Sequence, residues 1–352
     1  MMNRYKALHL FCGSDGRRGM GEGGAGDMRV ALIQVDGKLP NLALMKLSAY
    51  HKARGDDVIL YRNPDDYLLG QDLFYPIDKA YAAVIFDDSV KKRSLRLAKQ
   101  LAAAGVEVGG TGWSLEKTLP TEIEALPADY DLYGITYGFG FTSRGCIRSC
   151  PFCVVPKKEG TIRHVAWPSE IANPKSKALV LLDNNFLASP LWRDKGQQII
   201  DNGYKVDFTQ GLDIRLVTDE AADYIAKMKH GRRIHFAFDH ISDEQIVRSG
   251  IEKLLARGLK GDDLSFYVLT NFNSTHEDDR RRIDILDEYG ANPFIMVFDK
   301  RKAPEITRRL ALWCNKYWSK KACRFEDFDR KAYRQKKRLD YQPGEGEICA
   351  TS

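Results

Sequence analysis

Cysteine is scarce in this 352-residue chain: seven residues, too few for a disulfide scaffold at this length. No apolar run approaches the roughly 18 residues that span a bilayer, and the mean hydropathy is −0.40, so no membrane partner is expected. The N-terminus holds Gly and Arg where a secretory signal would hold an apolar core, and a cytoplasmic location is expected. A strong charge of one sign is missing too, with 54 Lys and Arg against 48 Asp and Glu, a net of +6. That surplus does not imply nucleic acid by itself, although it permits an anionic substrate. What remains is a chain 43% hydrophobic and long enough for two domains.

Residues 1–27, with the stretch GSDGRRGMGEGGAGD, lack the apolar surface that would order them. They are expected to be disordered, or a non-native extension ahead of a true start at Met28. From Met28 strands and helices alternate. MRVALIQVD, DVILY, YAAVIFDD and VEVGG read as strands, and LPNLALMKLSAYHKARG as a helix with Leu42, Met45, Leu47 and Tyr50 on its apolar side. SVKKRSLRLAKQLAAAG is a second helix ending on Gly105. Short strands joined by helices predict a small doubly wound, Rossmann-like α/β domain over residues 28–112. Residues 113–129, with Pro120 and Pro127, read as a linker.

The second half keeps the rhythm with six strand candidates: YGITYGFGFTSRG, ALVLLDNN, KVDFTQG, RIHFAFDH, LSFYVLTN and NPFIMVFD. Several of the intervening helices open on a Ser, Thr or Asp cap and close on Gly. Six β/α units predict a partial (β/α)6 TIM-like barrel over residues 130–318, with chemistry at the C-terminal ends of the strands. The tail 319–352 is basic, with KAYRQKKR at its centre, and reads as a solvated end or as a phosphate-contacting patch.

Three of the seven cysteines, Cys146, Cys150 and Cys153, crowd into RGCIRSCPFC directly after the first barrel strand. Three thiolates in one short loop can hold a 4Fe-4S cubane with one iron left open. Structural zinc wants four closed ligands, and the nearest fourth candidate is His164. A zinc-binding structural or nucleic-acid-binding module is therefore the alternative, with uncoordinated thiols a third reading.

The loop resembles the radical S-adenosylmethionine (radical SAM) superfamily, whose signature C-x3-C-x-aromatic-C is matched by Cys146, Cys150, Phe152 and Cys153. The resemblance implies a 4Fe-4S cluster that cleaves S-adenosylmethionine reductively. The resulting 5′-deoxyadenosyl radical then abstracts hydrogen from a substrate that the sequence does not identify. It also implies an electron donor such as flavodoxin or ferredoxin. A nucleotide or nucleic acid is one substrate class compatible with the basic tail.

Polar residues at the strand ends fit the same resemblance. Asp183 and Asn185, with Asn184 between them, stand where related enzymes hold the cofactor's amino group, although capping the next helix would also explain them. Gln210 and Arg215 are candidates for the cofactor or substrate, with an Asp213–Arg215 ion pair as the structural alternative. Asp239 matches a position for the ribose hydroxyls, Thr270 and Asn271 end the fifth strand, and Met296 can pack on adenine or in the core. Arg144, Arg148, Lys157, Lys158 and Arg163 surround the loop with only Glu159 opposing them, a surplus that suits anionic thiolates and an acidic electron donor.

The N-terminal domain resembles the cobalamin-binding type that precedes the barrel in a large branch of this superfamily. Its lower-ligand motif D-x-H-x-x-G is missing, because His51 has Ala49 where Asp should be. Cobalamin is therefore not expected, and the domain reads as a degenerate scaffold or substrate lid; members that bind cobalamin without that histidine keep the alternative open. The methylthiotransferase branch is excluded by the lack of cysteine between Met28 and Cys146.

Overall fold

The computed structural model describes residues 28–70, 76–86, 92–316, 323–331 and 333. The extension 1–27 and most of the tail 319–352 lie outside the described residues, and so do the expectations placed on them.

The N-terminal unit is a four-stranded parallel sheet of β1 (Arg29–Gln34), β2 (Asp57–Tyr61), β3 (Lys79–Ala83) and β4 (Glu107–Gly109), in the order β2-β1-β3-β4. Alternate side chains of β1 feed two apolar layers, as a parallel sheet covered on both faces requires. Ala31 and Ile33 pack with Leu97, Ala98 and Leu101 of α2 (Lys92–Ala103). Val30 and Leu32 pack with Ala43, Leu44 and Leu47 of α1 (Leu42–Ala53). Asn41 starts α1 by accepting the amides of Ala43 and Leu44 at 3.1 and 3.2 Å.

The sequence predicts a one-sided α1, but the helix is buried nearly all round. Leu42 and Met45 join Ile85 in a further cluster with Phe139, Phe141 and Leu182 of the second half. One side of α1 thus covers its own sheet while another meets the next unit. The linker is more ordered than Pro120 and Pro127 suggest, with a short helix Thr121–Glu124 and a 3-10 turn Tyr130–Tyr133.

All six expected strands of the second half are present: β5 (Gly138–Gly140), β6 (Ala178–Leu181), β7 (Lys205–Phe208), β8 (Ile234–Ala237), β9 (Leu264–Thr270) and β10 (Asn292–Val297). β5-β6-β7 and β8-β9-β10 are parallel and paired in chain order, and a parallel bridge between Leu212 and Phe236 lies between the two sheets. One apolar core runs behind the strands, from Leu179 and Leu181 through Val206, Phe208, Ile234 and Phe236 to Phe266, Val268 and Ile295. The helices α3 (Trp192–Asp201), α4 (Asp219–Lys227), α5 (Glu244–Leu255), α6 (His276–Glu288) and α7 (Glu305–Asn315) supply its other side.

Arg282 on α6 is wholly buried; it donates to Phe238 O at 2.7 Å and Leu269 O at 2.8 Å, and Asp279 at 2.5 Å neutralises it. This pair ties the C-terminal ends of β8 and β9 together. Among the described residues no helix is long and apolar enough to cross a membrane.

Candidate functional site

The cysteine loop leaves β5 inside an antiparallel hairpin in which Ser143 and Arg144 pair with His164 and Arg163. Gly145 opens it with φ +90°, and a Cβ there would stand 2.2 Å from Thr161 O, so only glycine fits. Cys146 N donates to Gly160 O at 3.2 Å, and Cys153 N to Cys150 O at 2.9 Å. The three thiols are half-buried. They line one cleft together with Phe152, Asn185, Gln210, Arg215 and Asp239. Asn185 follows β6, Gln210 and Arg215 follow β7, and Asp239 follows β8, so the cleft sits at the C-terminal ends of those three strands.

Donors surround the sulfur of Cys146. The backbone amide of Arg148 lies 3.3 Å away and Asn185 Nδ2 3.6 Å away. Asp213 is the hub beside it, taking Arg215 Nε at 2.7 Å, Arg148 Nε at 3.0 Å and Asn185 Nδ2 at 3.3 Å. Burial alone would push this carboxyl up, but the hydrogen bonds and charges of Arg215 and Arg148 outweigh it and hold the group below the ordinary carboxylate range. The ion pair is therefore present, and Arg215 lines the cleft as well. Asn185 Oδ1 and Gln210 Oε1 are buried with no partner at all. Orphaned acceptors of that kind cost stability unless something donates to them.

Asp183 and Asn271 do not line this cleft. Asp183 is buried and accepts four hydrogen bonds of 2.6–2.8 Å from the amides and hydroxyls of Thr142 and Ser143. Its burial raises the pKa against the pull of those hydroxyls. Asn271 adopts φ 63° and donates to Phe298 O at 2.8 Å. Its neighbour Phe272 instead reaches the loop, edge-on to Phe152 with ring centres 5.3 Å apart. Thr270 is buried near Met296 O.

The basic surround is reduced by the structure. Arg144 is buried and bidentate to Glu159, and Lys158 donates to the carbonyls of Leu115 and Lys117 at 2.7 and 2.8 Å. A sequence count of charges misses such pairing, because Glu124, which accepts Arg144 Nη1 at 2.9 Å, and the linker carbonyls are distant in the chain. His164 lies in the hairpin with its ring against Trp167. Among the described residues no three His, Cys, Asp or Glu gather about a single-ion position.

Sequence reasoning also missed Lys195, which is fully buried and donates to Thr142 O at 2.7 Å. Burial lowers its pKa, with Asp183 pulling the other way. The available signal was its place on the apolar stripe of α3, three residues after Trp192 and four before Ile199. A second omission is the strand face shared with the cleft. Ala237 lines the cleft, so His235, two residues earlier on β8, shares its side. His235 stacks on Tyr267 at 5.2 Å, its Nδ1 has no partner, and burial beside Arg232 and Arg233 brings its pKa down to about 4.

No family model matches the chain, and no curated protein matches it. Its fold resembles that of OxsB. The likeness is to the cobalamin-dependent S-adenosylmethionine radical enzyme OxsB in two solved structures, one with aqua-cobalamin and S-adenosylmethionine bound and one with aqua-cobalamin bound. In both cases the identity is 14%, the TM-score 0.51, and the match covers 84% of this chain and 56% of OxsB. The chain thus spans little more than half the length of OxsB, and the parallel α/β architecture is what the two have in common.

Proposed function

We propose that the chain is a radical SAM enzyme built on a partial (β/α)6 TIM-like barrel behind a Rossmann-like domain of the cobalamin-binding type. One observation carries the reading: a C-x3-C-x-aromatic-C loop shares a cleft with strand-end polar groups, and two buried amide oxygens there lack donors. The fold likeness to OxsB supports it.

The residues fit a cluster held by three thiolates. Cys146, Cys150 and Cys153 would each take one iron, and the Arg148 amide and Asn185 Nδ2 donate to the Cys146 sulfur at 3.3 and 3.6 Å. When bound, a 4Fe-4S cluster with an open iron supplies the electron that cleaves S-adenosylmethionine to methionine and a 5′-deoxyadenosyl radical. The chain's own part is orientation and exclusion of water. Asn185 Oδ1 and Gln210 Oε1 are acceptors suited to the ammonium and hydroxyl groups of that cofactor, and Asp239 suits its ribose. Arg215, held by Asp213, is poised for a carboxylate. His235 on the same strand face suits contact with the substrate.

Cobalamin is a different matter. His51 is buried, with Nδ1 2.7 Å from Asp56 and Nε2 3.2 Å from Tyr81 OH, so both ring nitrogens are occupied. It is the only histidine between Met28 and the barrel, and the domain does not fit a histidine-ligated cobalamin. We read it as a scaffold. Around the loop, half-exposed Ile147 with Arg148, Lys157 and Arg163 suits an electron donor with an acidic face, such as flavodoxin or ferredoxin.

Replacing any of Cys146, Cys150 or Cys153 with Ala is expected to abolish both iron retention and S-adenosylmethionine cleavage after anaerobic reconstitution. Cleavage that survives in any one of the three variants would overturn the proposal.

A further inference from the structure

The base of the cysteine loop is joined to the N-terminal domain by an ionic chain that is buried at its loop end and half-buried at Glu124. Arg144, two residues before Cys146, meets both oxygens of Glu159, six residues after Cys153, at 2.9 Å each, and the side chains of both are almost wholly buried. This pair closes the loop at its neck. The third guanidinium nitrogen, Nη1, donates to Glu124 Oε1 at 2.9 Å. That same oxygen accepts Lys46 Nζ at 2.9 Å, and Lys46 belongs to α1 of the N-terminal domain. Lys46 also donates to the Glu124 carbonyl. One carboxylate oxygen is therefore shared by a cation from each domain.

We propose that Arg144 is a positioning residue through which the N-terminal domain sets the conformation of the cysteine loop, with Glu124 and Lys46 as the intermediate links. Buried ion pairs add little net stability over apolar groups, but they fix geometry, because one partner without the other is costly. Arg144 alone could satisfy Glu159 from many loop conformations. Requiring its remaining nitrogen to meet a Glu124 already pinned by Lys46 leaves few. Lys158, just past the loop, adds a second tie by donating to the linker carbonyls of Leu115 and Lys117.

The idea rests on the cluster reading only for what the loop holds, so the test begins without metal. Hydrogen exchange is measured on the full cluster-free chain for wild type, Lys46→Met and Lys46→Arg. Lys46→Met should speed exchange across residues 142–160 about ten-fold while leaving β9 and α6 unchanged, and Lys46→Arg should restore protection. Unchanged exchange in the loop overturns the proposal, and so does an equal acceleration everywhere, which would make Lys46 a general stabiliser. Reconstitution then supplies a signature that a merely structural lysine would not move. The electron paramagnetic resonance line shape should broaden in Lys46→Met and recover in Lys46→Arg, and identical spectra in all three would contradict the coupling. If exchange behaves as expected and no cluster assembles in wild type, the brace stands and the cluster reading falls.

Discussion

At the scale of single residues, the titration of His235 offers a direct check on the strand face beside the cleft. An exposed histidine titrates near 6.5, whereas burial holds folded His235 at about 4. Between those values the unfolded chain binds more protons, so stability rises with pH across that window. The contribution of the neutral ring is complete above about 6.5 and is lost as pH falls toward about 4. His235→Phe keeps an aromatic on Tyr267 and removes the titration. Its melting temperature should therefore fall less than that of wild type between those pH values, and parallel curves would show that the ring is solvated. The cysteines were legible because their spacing is local, and a local pattern survives in sequence. The role of Asp183 was not, since its four donors come from Thr142 and Ser143, some forty positions away across a strand pair. A carboxylate at a strand end looks the same whether it faces a ligand or a neighbouring backbone.

At the scale of elements, α1 shows what periodicity does and does not carry. Its apolar positions predict a helix, and the helix is there from Leu42 to Ala53. They also suggest a solvent face, but Lys46 and Ser48 are buried because each meets a carboxylate, Glu124 and Asp129 respectively. Polar residues with distant partners read as exposed. The junction between α1 and β5 depends on Phe139, which is 1% exposed among Leu42, Met45 and Leu182. Phe139→Ala should cost about 3–5 kcal/mol in denaturant unfolding. A loss below about 1 kcal/mol would mean that the two units barely share this core.

At the scale of the whole molecule, the strands of both halves were readable because helices and strands alternate with short connections; in the second half β5-β6-β7 and β8-β9-β10 pair with their chain neighbours, whereas β1 lies between β2 and β3 in the N-terminal sheet. The bridge between Leu212 and Phe236 was not, because it links a loop to a strand. The same whole-chain view separates fold from cofactor. Aqua-cobalamin is bound in the OxsB structures, yet both nitrogens of His51 are engaged within this domain. Aqua-cobalamin mixed with the chain should keep the absorbance spectrum of the free compound, and a spectrum shifted toward histidine ligation would contradict this assignment.

The central claim is that Cys146, Cys150 and Cys153 hold a cluster with one iron open to S-adenosylmethionine. It is tested most directly by anaerobic reconstitution with iron and sulfide, followed by electron paramagnetic resonance of the reduced protein with and without S-adenosylmethionine. The expected result is a cubane signal that changes when S-adenosylmethionine is added. A chain that assembles no cluster, or one whose signal is indifferent to S-adenosylmethionine, would contradict the account.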